Sequence, residues 1–318
     1  MPVGDLWPVV RQRVEALAAT SGRLLIVTDF DGTLAQIDPD PMGSRIEPLG
    51  RSALRRLSHL EARQPDRLRV VVLSGRAALD VATRVRVGGI GYLGNHGLEG
   101  GTLPRGVRAE RLEVSGDPEL ASFADPARAL GRAVAAALGQ PDWLFVEDKG
   151  PSVAFHYRAA PDPDAAQRQI VQALARRSAE HGHAGLERFD GRRIIEFRPA
   201  GAGGKGAAVA RLLERERPAA VIVLGDDRSD AEAFRAMAAA RAAGSLAAGL
   251  AIAIHGAAET PREVVEGADL LLETPHQAAR VLAMLASTLE REAARTGAMA
   301  PPQATRLAVR ARALPFCV

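Results

Sequence analysis

Two aspartates stand one residue apart directly after an apolar run near the start of the chain. The stretch Leu25–Leu34 reads LIVTDFDGTL, so Asp29 and Asp31 follow the run and precede a Gly-Thr pair. An unbroken apolar run is typical of a buried strand in a parallel sheet, and ligands bind at the carboxyl ends of such strands. Because side chains alternate along an extended chain, both carboxylates are predicted to lie on one side. Two carboxylates this close repel each other, so the pair requires a cation or a shared proton.

Three further motifs offer other groups that phosphate chemistry requires. Ser74, in LSGR after an apolar run, offers a hydroxyl to a phosphate oxygen, although Ser-Gly after a strand is also a common turn or helix cap. Lys205, in GGKG at a predicted helix start, offers an ammonium where glycines let an anion approach. GDDRSD follows another apolar run and holds the acidic residues Asp226, Asp227 and Asp230. Their oxygens suit Mg²⁺, although a solvated acidic turn has the same composition.

The order of DFDGT, LSGR, GGKG and GDDRSD resembles that of the four motifs of the haloacid dehalogenase (HAD) phosphatase superfamily. The resemblance implies that Asp29 attacks phosphorus and forms an aspartyl-phosphate. Asp31 would protonate the leaving oxygen and then activate water. Ser74 and Lys205 would complete the catalytic set by holding the phosphate.

The cofactor that this resemblance implies is Mg²⁺. Its expected ligands are Asp29, Asp31 and Asp226. Asp227 and Asp230 are expected to support these ligands from behind.

Strand-length apolar runs alternate with helical patterns around these motifs. The predicted strands cover residues 24–28, 68–73, 91–93, 220–224 and 250–254. This alternation predicts an α/β fold with a parallel sheet. Between about residues 100 and 199 the sequence pattern changes to strands with alternating apolar and polar residues and two Ala-rich helices. This pattern predicts an inserted α+β segment.

The fold class that follows is α/β, with a HAD-type Rossmann-like core and an inserted cap, or lid, domain. We predict a core over residues 1–103 and 200–292, a cap over 104–199 and a C-terminal tail over 293–318.

Within the superfamily, the chain resembles the trehalose-6-phosphate phosphatase family over roughly residues 24–285. The resemblance rests on GNHGLE, VEDKGPSVAFHYR and IIEFRP, since DxDGT and GDD occur throughout the superfamily. It implies that Glu147, Lys149 and Glu196 of the cap bind the sugar. His156, in the same segment, is expected to support the cap sheet.

Arg76, Asn95 and His96 of the core are expected to complete sugar binding. Asn95 is the chain's only asparagine, and Lys149 and Lys205 are its only lysines. In a chain that otherwise uses arginine for positive charge, these residues are candidates for chemistry that a guanidinium cannot supply.

The metal motif departs from the family's common GDDxTDE in two places. Ser229 stands for threonine and keeps its hydroxyl, whereas Ala231 stands for glutamate and removes a carboxylate. We therefore expect the surroundings of the metal, and not the central roles, to differ.

Composition limits the other possible functions. The chain of 318 residues has 41 basic and 38 acidic residues, a formal net charge of +3 and no Lys/Arg-rich block. A mixed-charge surface is therefore expected, with no nucleic-acid partner. No run approaches the roughly 18 apolar residues of a membrane span, so we expect a cytoplasmic protein without a membrane partner. We also expect a monomer.

The sequence therefore predicts a Mg²⁺-dependent phosphatase whose small-molecule substrate is a sugar phosphate, trehalose 6-phosphate. One alternative is another capped HAD phosphatase acting on a sucrose, mannosylglycerate or hexose phosphate. A second is a non-catalytic sugar-phosphate sensor.

Overall fold

The computed structural model describes residues 6–38, 40, 42–116, 118–181, 185–191, 193–256, 260–295 and 297. These residues divide into two compact units. The core unit comprises the described residues of Met1–Gln36, Arg45–Ser115 and Gly204–Pro315, and the inserted unit those of Ile37–Ser44 and Gly116–Gly203. No helix in the described ranges is long and apolar enough to cross a membrane.

The strands and helices are numbered along the whole chain. The strands are β1 Leu24–Thr28, β2 Leu68–Leu73, β3 Ile90–Gly94, β4 Glu99–Leu103, β5 Ser115–Gly116, β6 Phe145–Asp148, β7 Val153–His156, β8 Leu186–Gly191, β9 Ile194–Pro199, β10 Ala220–Gly225, β11 Ala248–Ile254 and β12 Leu270–Leu272. The helices are α1 Leu6–Ala18, α2 Pro48–Arg63, α3 Ala78–Val85, α4 Pro118–Ala121, α5 Ala124–Ala137, α6 Pro163–His181, α7 Lys205–Glu216, α8 Arg228–Ala242, α9 Arg262–Gly267 and α10 Pro275–Arg295.

The core unit is built on one large sheet with the order β12-β11-β10-β1-β2-β3-β4-β5. Strands β12 to β3 in this order pair in parallel, and β4 runs antiparallel to β3. The chain passes from β1 to β2 on one side, whereas β10 leads to β11 on the other. The strand order therefore reverses between β1 and β10, and open α/β sheets bind ligands at the carboxyl ends of strands at such a point. The predicted α/β fold with a parallel sheet is confirmed.

Apolar clusters cover both faces of the core sheet. Leu24 and Ile26 of β1 point into a cluster with α1, α2, α3 and α10. Leu25 and Val27 point into a second cluster with α7, α8 and α9. Alternate residues of a strand face opposite sides, so burial on both faces requires an apolar residue at every position. This explains the unbroken apolar run before the two aspartates.

The inserted unit contains an antiparallel sheet with the order β6-β7-β9-β8. Phe155 and Phe197 lie on its apolar face, in a cluster with residues of α5 and α6. Ala154 of β7 pairs with Glu147 on one neighbouring strand and with Glu196 on the other. Directly paired residues share a face, so both glutamates lie on the face opposite the helices.

The units do not divide at the expected domain boundaries of 103 and 199. Strands β4 and β5 extend the core sheet, so the core unit continues to Ser115, and it resumes at Gly204. The assignment of the inserted unit as a cap stays a prediction. Helix α10 ends at Arg295, and the predicted tail beyond it lies outside the described residues except for Gly297.

Gly94 ends β3 where the strand packs against the start of α3. A Cβ built at Gly94 would lie 2.7 Å from Ala77 C and from Ala78 Cα, atoms of the backbone that cannot move alone. We predict that Gly94→Ala lowers the free energy of unfolding by on the order of 2 kcal/mol, as overpacking does. Urea titration followed by circular dichroism measures this loss.

Gly50, inside α2, is the matched control. A Cβ there meets its neighbours only at 3.5 Å or more, which is ordinary contact. Gly50→Ala should therefore stabilise the protein by roughly 0.5–1 kcal/mol through helix propensity. Equal effects of the two substitutions would contradict the steric argument.

Candidate active site

Three buried carboxylates of the core unit meet at the switch point of the sheet. Asp29 follows β1, Asp226 follows β10 and Asp230 lies in the first turn of α8. Each offers an oxygen that lies within 4.8 Å of those of the other two. The parallel pairing of β1 with β10 brings Asp29 and Asp226 together, and the Asp29 N–H donates to Leu224 O at 2.9 Å.

Lys205 places its ammonium between two of these carboxylates. Its Nζ lies 2.8 Å from Asp29 Oδ1 and 2.8 Å from Asp230 Oδ1. Burial alone would lower the pKa of Lys205, but the negative charges of Asp230 and Asp29 raise it above its ordinary value. Lys205 therefore stays charged inside the protein.

Burial also changes the pKa of the Asp29 carboxylate. Burial raises the pKa of Asp29 to about 7, with further raising by Asp230 and Asp31, although Lys205 opposes the shift. The ammonium of Lys205 alone thus does not offset the burial of Asp29 beside other carboxylates. A second cation at the site would favour the charged form of Asp29.

The residues present fit a divalent cation. Carboxylate oxygens are the ligands that Mg²⁺ prefers. Gly32 has a φ of +77°, and a Cβ at this position would collide with the carboxylate of Asp226. The backbone at Gly32 therefore packs directly against the Asp226 carboxylate. Thr33 Oγ1 also donates to Asp226 Oδ1 at 3.3 Å. Backbone and hydroxyl therefore hold Asp226 in position at the cluster.

Asp230 and Asp227 have structural partners of their own. Asp230 Oδ2 accepts from the N–H groups of Asp226 and Asp227 at 3.0 and 3.1 Å, while its Oδ1 accepts from Lys205. Asp227 caps α8 and accepts from the Arg228 N–H at 2.7 Å. Asp230 also belongs to the carboxylate cluster. The supporting metal roles of both aspartates stay a prediction.

Asp31 is paired with an arginine rather than with Lys205. Its two carboxylate oxygens accept from Arg76 Nε at 2.6 Å and from Arg76 Nη2 at 2.8 Å. The structure thus pairs Arg76, a predicted sugar-binding residue, with Asp31, the predicted proton donor. Asp31 as a metal ligand stays a prediction.

The loops after β2 and β3 bring together Ser74, Arg76, Asn95 and His96. The Asn95 N–H donates to Arg76 O at 2.8 Å, and the His96 N–H donates to Ser74 O at 2.9 Å. Asn95 and His96 have φ values of 49° and 58°, in the left-handed region that asparagine tolerates better than most residues. Ser74 is buried, and its Oγ accepts from the Arg76 N–H at 3.1 Å.

The polar face of the inserted unit brings together the three residues predicted to bind sugar. Lys149 Nζ lies 3.5 Å from Glu196 Oε1 and 3.8 Å from Glu147 Oε2. Lys149 and Glu196 are buried. His156 Nε2 lies 2.8 Å from Glu147 Oε2, so this histidine contacts a predicted sugar ligand directly. Sequence reasoning assigned it only to the sheet.

Two further residues of the core unit bear on the predicted site. Asp80, which sequence reasoning missed, accepts from Arg76 Nη1 at 3.1 Å; its place four residues after Arg76, in the first turn of a helix, was the available signal. Ala231, the departure in the metal motif, is buried in the apolar cluster with α7 and α9. Its side chain thus contributes to packing.

Comparisons with known proteins agree with the motifs. A family model described as trehalose-phosphatase matches residues 27–255. The trehalose-phosphate phosphatase of Mycobacterium avium (strain 104) is 34% identical over 268 residues, which are 83% of this chain and 62% of that protein. The protein of the same name from Mycobacterium tuberculosis (strain H37Rv) is 37% identical over 212 residues, 65% of this chain and 49% of that protein. The chain thus spans about half to three fifths of these relatives.

A solved structure supports the fold independently. The C-terminal domain of the C. albicans trehalose-6-phosphate phosphatase superposes with a TM-score of 0.68 at 20% identity and covers 88% of this chain and 96% of that domain. This likeness confirms the predicted HAD-type fold. With the match of the family model over most of its length, the chain belongs to the trehalose-phosphatase family.

Proposed function

We propose that this protein is a Mg²⁺-dependent phosphatase that hydrolyses trehalose 6-phosphate to trehalose and phosphate. The observation that carries the proposal is the buried group of Asp29, Asp226 and Asp230 around the ammonium of Lys205. It offers a nucleophile, a fixed cation and hard oxygen ligands at one point of the sheet.

In the first step, a carboxylate oxygen of Asp29 attacks phosphorus and the bond from phosphorus to the sugar oxygen breaks. Lys205 holds Asp29 through Oδ1 and offsets negative charge on the transferring phosphoryl group. Asp31 gives a proton to the leaving sugar oxygen. Ser74, at the end of β2, donates its hydroxyl to a phosphoryl oxygen.

In the second step, water attacks the phosphorus of the aspartyl-phosphate and gives its proton to Asp31. Phosphate leaves and the carboxylate of Asp29 is restored. Asp29 and Asp226, with Asp31 as the third proposed ligand, would hold Mg²⁺, which would supply positive charge for the phosphoryl transfer.

The inserted unit supplies groups that suit a disaccharide. Sugar hydroxyls both donate and accept hydrogen bonds, so carboxylates and an ammonium can each bind several. Glu147, Lys149 and Glu196 offer this combination on one face of the sheet. We propose that they bind trehalose hydroxyls, with Asn95 and His96 of the core unit as further sugar ligands.

The nucleophile can be tested by replacing Asp29. Asp29→Asn keeps the shape of the side chain but removes the charge that attacks phosphorus, so phosphate release from trehalose 6-phosphate should fall by at least roughly 10³-fold. Asp66→Asn, on an aspartate with a fully exposed side chain, is the control and should change nothing. Appreciable turnover by Asp29→Asn would rule out the mechanism, and wild-type release that is absent with or without EDTA would favour a sensor.

Metal binding can be measured without the reaction. A ligand that binds only the folded state stabilises it by about 2.7 kcal/mol at 100 times its Kd. Adding MgCl₂ to the metal-free protein should therefore raise the unfolding temperature by a few degrees. The Mg²⁺-dependent rise should be lost in Asp226→Asn and kept in Asp66→Asn. An equal rise in Asp226→Asn would remove Asp226 from the metal site.

The substrate can be identified with a panel of sugar phosphates. We expect kcat/KM for trehalose 6-phosphate to exceed that for sucrose 6-phosphate and glucose 6-phosphate by at least about tenfold. Glu196→Gln removes a charged acceptor, whose hydrogen bonds contribute about 1.5–3 kcal/mol each, so KM for trehalose 6-phosphate should rise about tenfold or more. Comparable wild-type rates across the panel would favour the alternative of a broader sugar phosphatase.

A further inference from the structure

Arg76 binds both carboxylate oxygens of Asp31. A two-point pair of this kind, with hydrogen bonds of 2.6 and 2.8 Å, fixes the plane of the carboxylate as well as its distance. The guanidinium carbon also lies 5.8 Å from the centroid of the buried Phe30 ring. Arg76 therefore defines the orientation of Asp31.

Asp80 binds Arg76 through the remaining guanidinium nitrogen. Arg76 Nη1 donates to Asp80 Oδ2 at 3.1 Å, and Arg84 Nε donates to Asp80 Oδ1 at 2.9 Å. Asp80 lies in the first turn of α3, where the helix dipole favours a carboxylate. Burial alone would lower the pKa of Arg76, but its hydrogen bonds and the charges of Asp31 and Asp80 raise it above the ordinary value.

These contacts form one continuous chain of charges within the core unit, from Arg84 through Asp80 and Arg76 to Asp31. Each carboxylate oxygen of Asp80 has one arginine partner, so the carboxylate is fixed by two residues of the same segment. The side chain of Arg76 is only 12% exposed, which leaves little room for it to adopt another position. Without Asp80, this long side chain would lose its hydrogen bond at Nη1 and could shift together with Asp31.

We propose that Asp80 and Arg76 are positioning residues, which orient the carboxylate of Asp31 for proton transfer to the leaving oxygen of the phosphate ester. The inference rests on the proposed function, because it requires that Asp31 transfers this proton. It gives Arg76 a different role from the sugar-binding role that the sequence predicts.

The two roles of Arg76 differ in their kinetic consequences. Loss of a sugar contact weakens binding in the ground state and the transition state alike and raises KM. Loss of orientation at the proton donor lowers kcat, because proton transfer occurs only in the transition state. The side chain to change first is Asp80, since it contacts Arg76 and not Asp31.

Asp80→Asn keeps the shape of the side chain and removes its charge. We expect kcat for trehalose 6-phosphate to fall about tenfold while KM stays within about twofold of wild type. An unchanged kcat, or a higher KM at unchanged kcat, would overturn the proposal.

A pair of aryl phosphates isolates the proton transfer itself. Phenyl phosphate and 4-nitrophenyl phosphate have the same shape near phosphorus and carry no sugar, but 4-nitrophenolate leaves without needing a proton. Because kcat/KM includes steps only up to departure of the leaving group, it excludes the later attack by water. Asp80→Asn should lower kcat/KM about tenfold for phenyl phosphate and less than about twofold for 4-nitrophenyl phosphate. Equal losses on both esters would overturn the proposal.

Two further variants keep the test decisive. Glu266→Gln breaks a Glu–Arg pair of 2.6 Å between two exposed side chains of α9 and should not change the rate on either ester. Arg76→Lys keeps a positive charge but loses the two-point contact with Asp31, so it should show the same selective loss on phenyl phosphate if Asp80→Asn unfolds. Wild-type protein that releases no phosphate from trehalose 6-phosphate would contradict the proposed function, whereas equal losses in an active protein contradict only this inference.

Discussion

The arrangement of the core unit depends on the burial of three carboxylates around one ammonium. Asp29, Asp226 and Asp230 repel one another within 4.8 Å, and Lys205 bridges only two of them. Burial raises the pKa of Asp29, the charges of Asp230 and Asp31 raise it further, and the ammonium of Lys205 lowers it by too little to offset them. The site is therefore electrostatically incomplete by itself. A cation and a phosphoryl group would together supply what the carboxylates and the ammonium each lack.

Backbone geometry holds these charges together against their repulsion. The parallel register of β1 with β10 fixes where the two acidic loops begin, and the left-handed turn at Gly32 brings one loop against the Asp226 carboxylate. Asp230 connects the second loop to helix α8, because its carboxylate accepts hydrogen bonds from the N–H groups of Asp226 and Asp227 in that loop. Because Lys205 begins α7, its position is set by a helix that packs in the apolar cluster below the sheet. The electrostatic strain is thus balanced by strand pairing and apolar packing.

The sequence predicted elements best where burial is two-sided. Strands β1 and β2 were placed correctly because all but one residue of each is apolar. Strands β6 and β8, with the sequences FVED and LERFDG, carry charged residues on both faces of the sheet and were missed. Motifs identified the residue types of the site, and the structure brings Asp29, Lys205 and Asp226 together. The pairing of Arg76 with Asp31 was not predictable, because it depends on how the loop after β2 lies beside the loop after β1.

The two neighbouring aspartates of DFDGT differ chiefly in the cation that each contacts. Asp29 faces the point-like ammonium of Lys205, which occupies one oxygen, and its side chain is 7% exposed. Asp31 faces the planar guanidinium of Arg76, which occupies both oxygens, and its side chain is 33% exposed. A nucleophile needs an oxygen left open and a dry environment, whereas a group that exchanges protons with a leaving oxygen and with water needs orientation and access. The different cations thus give two identical side chains, two residues apart, environments that suit different steps of the proposed reaction.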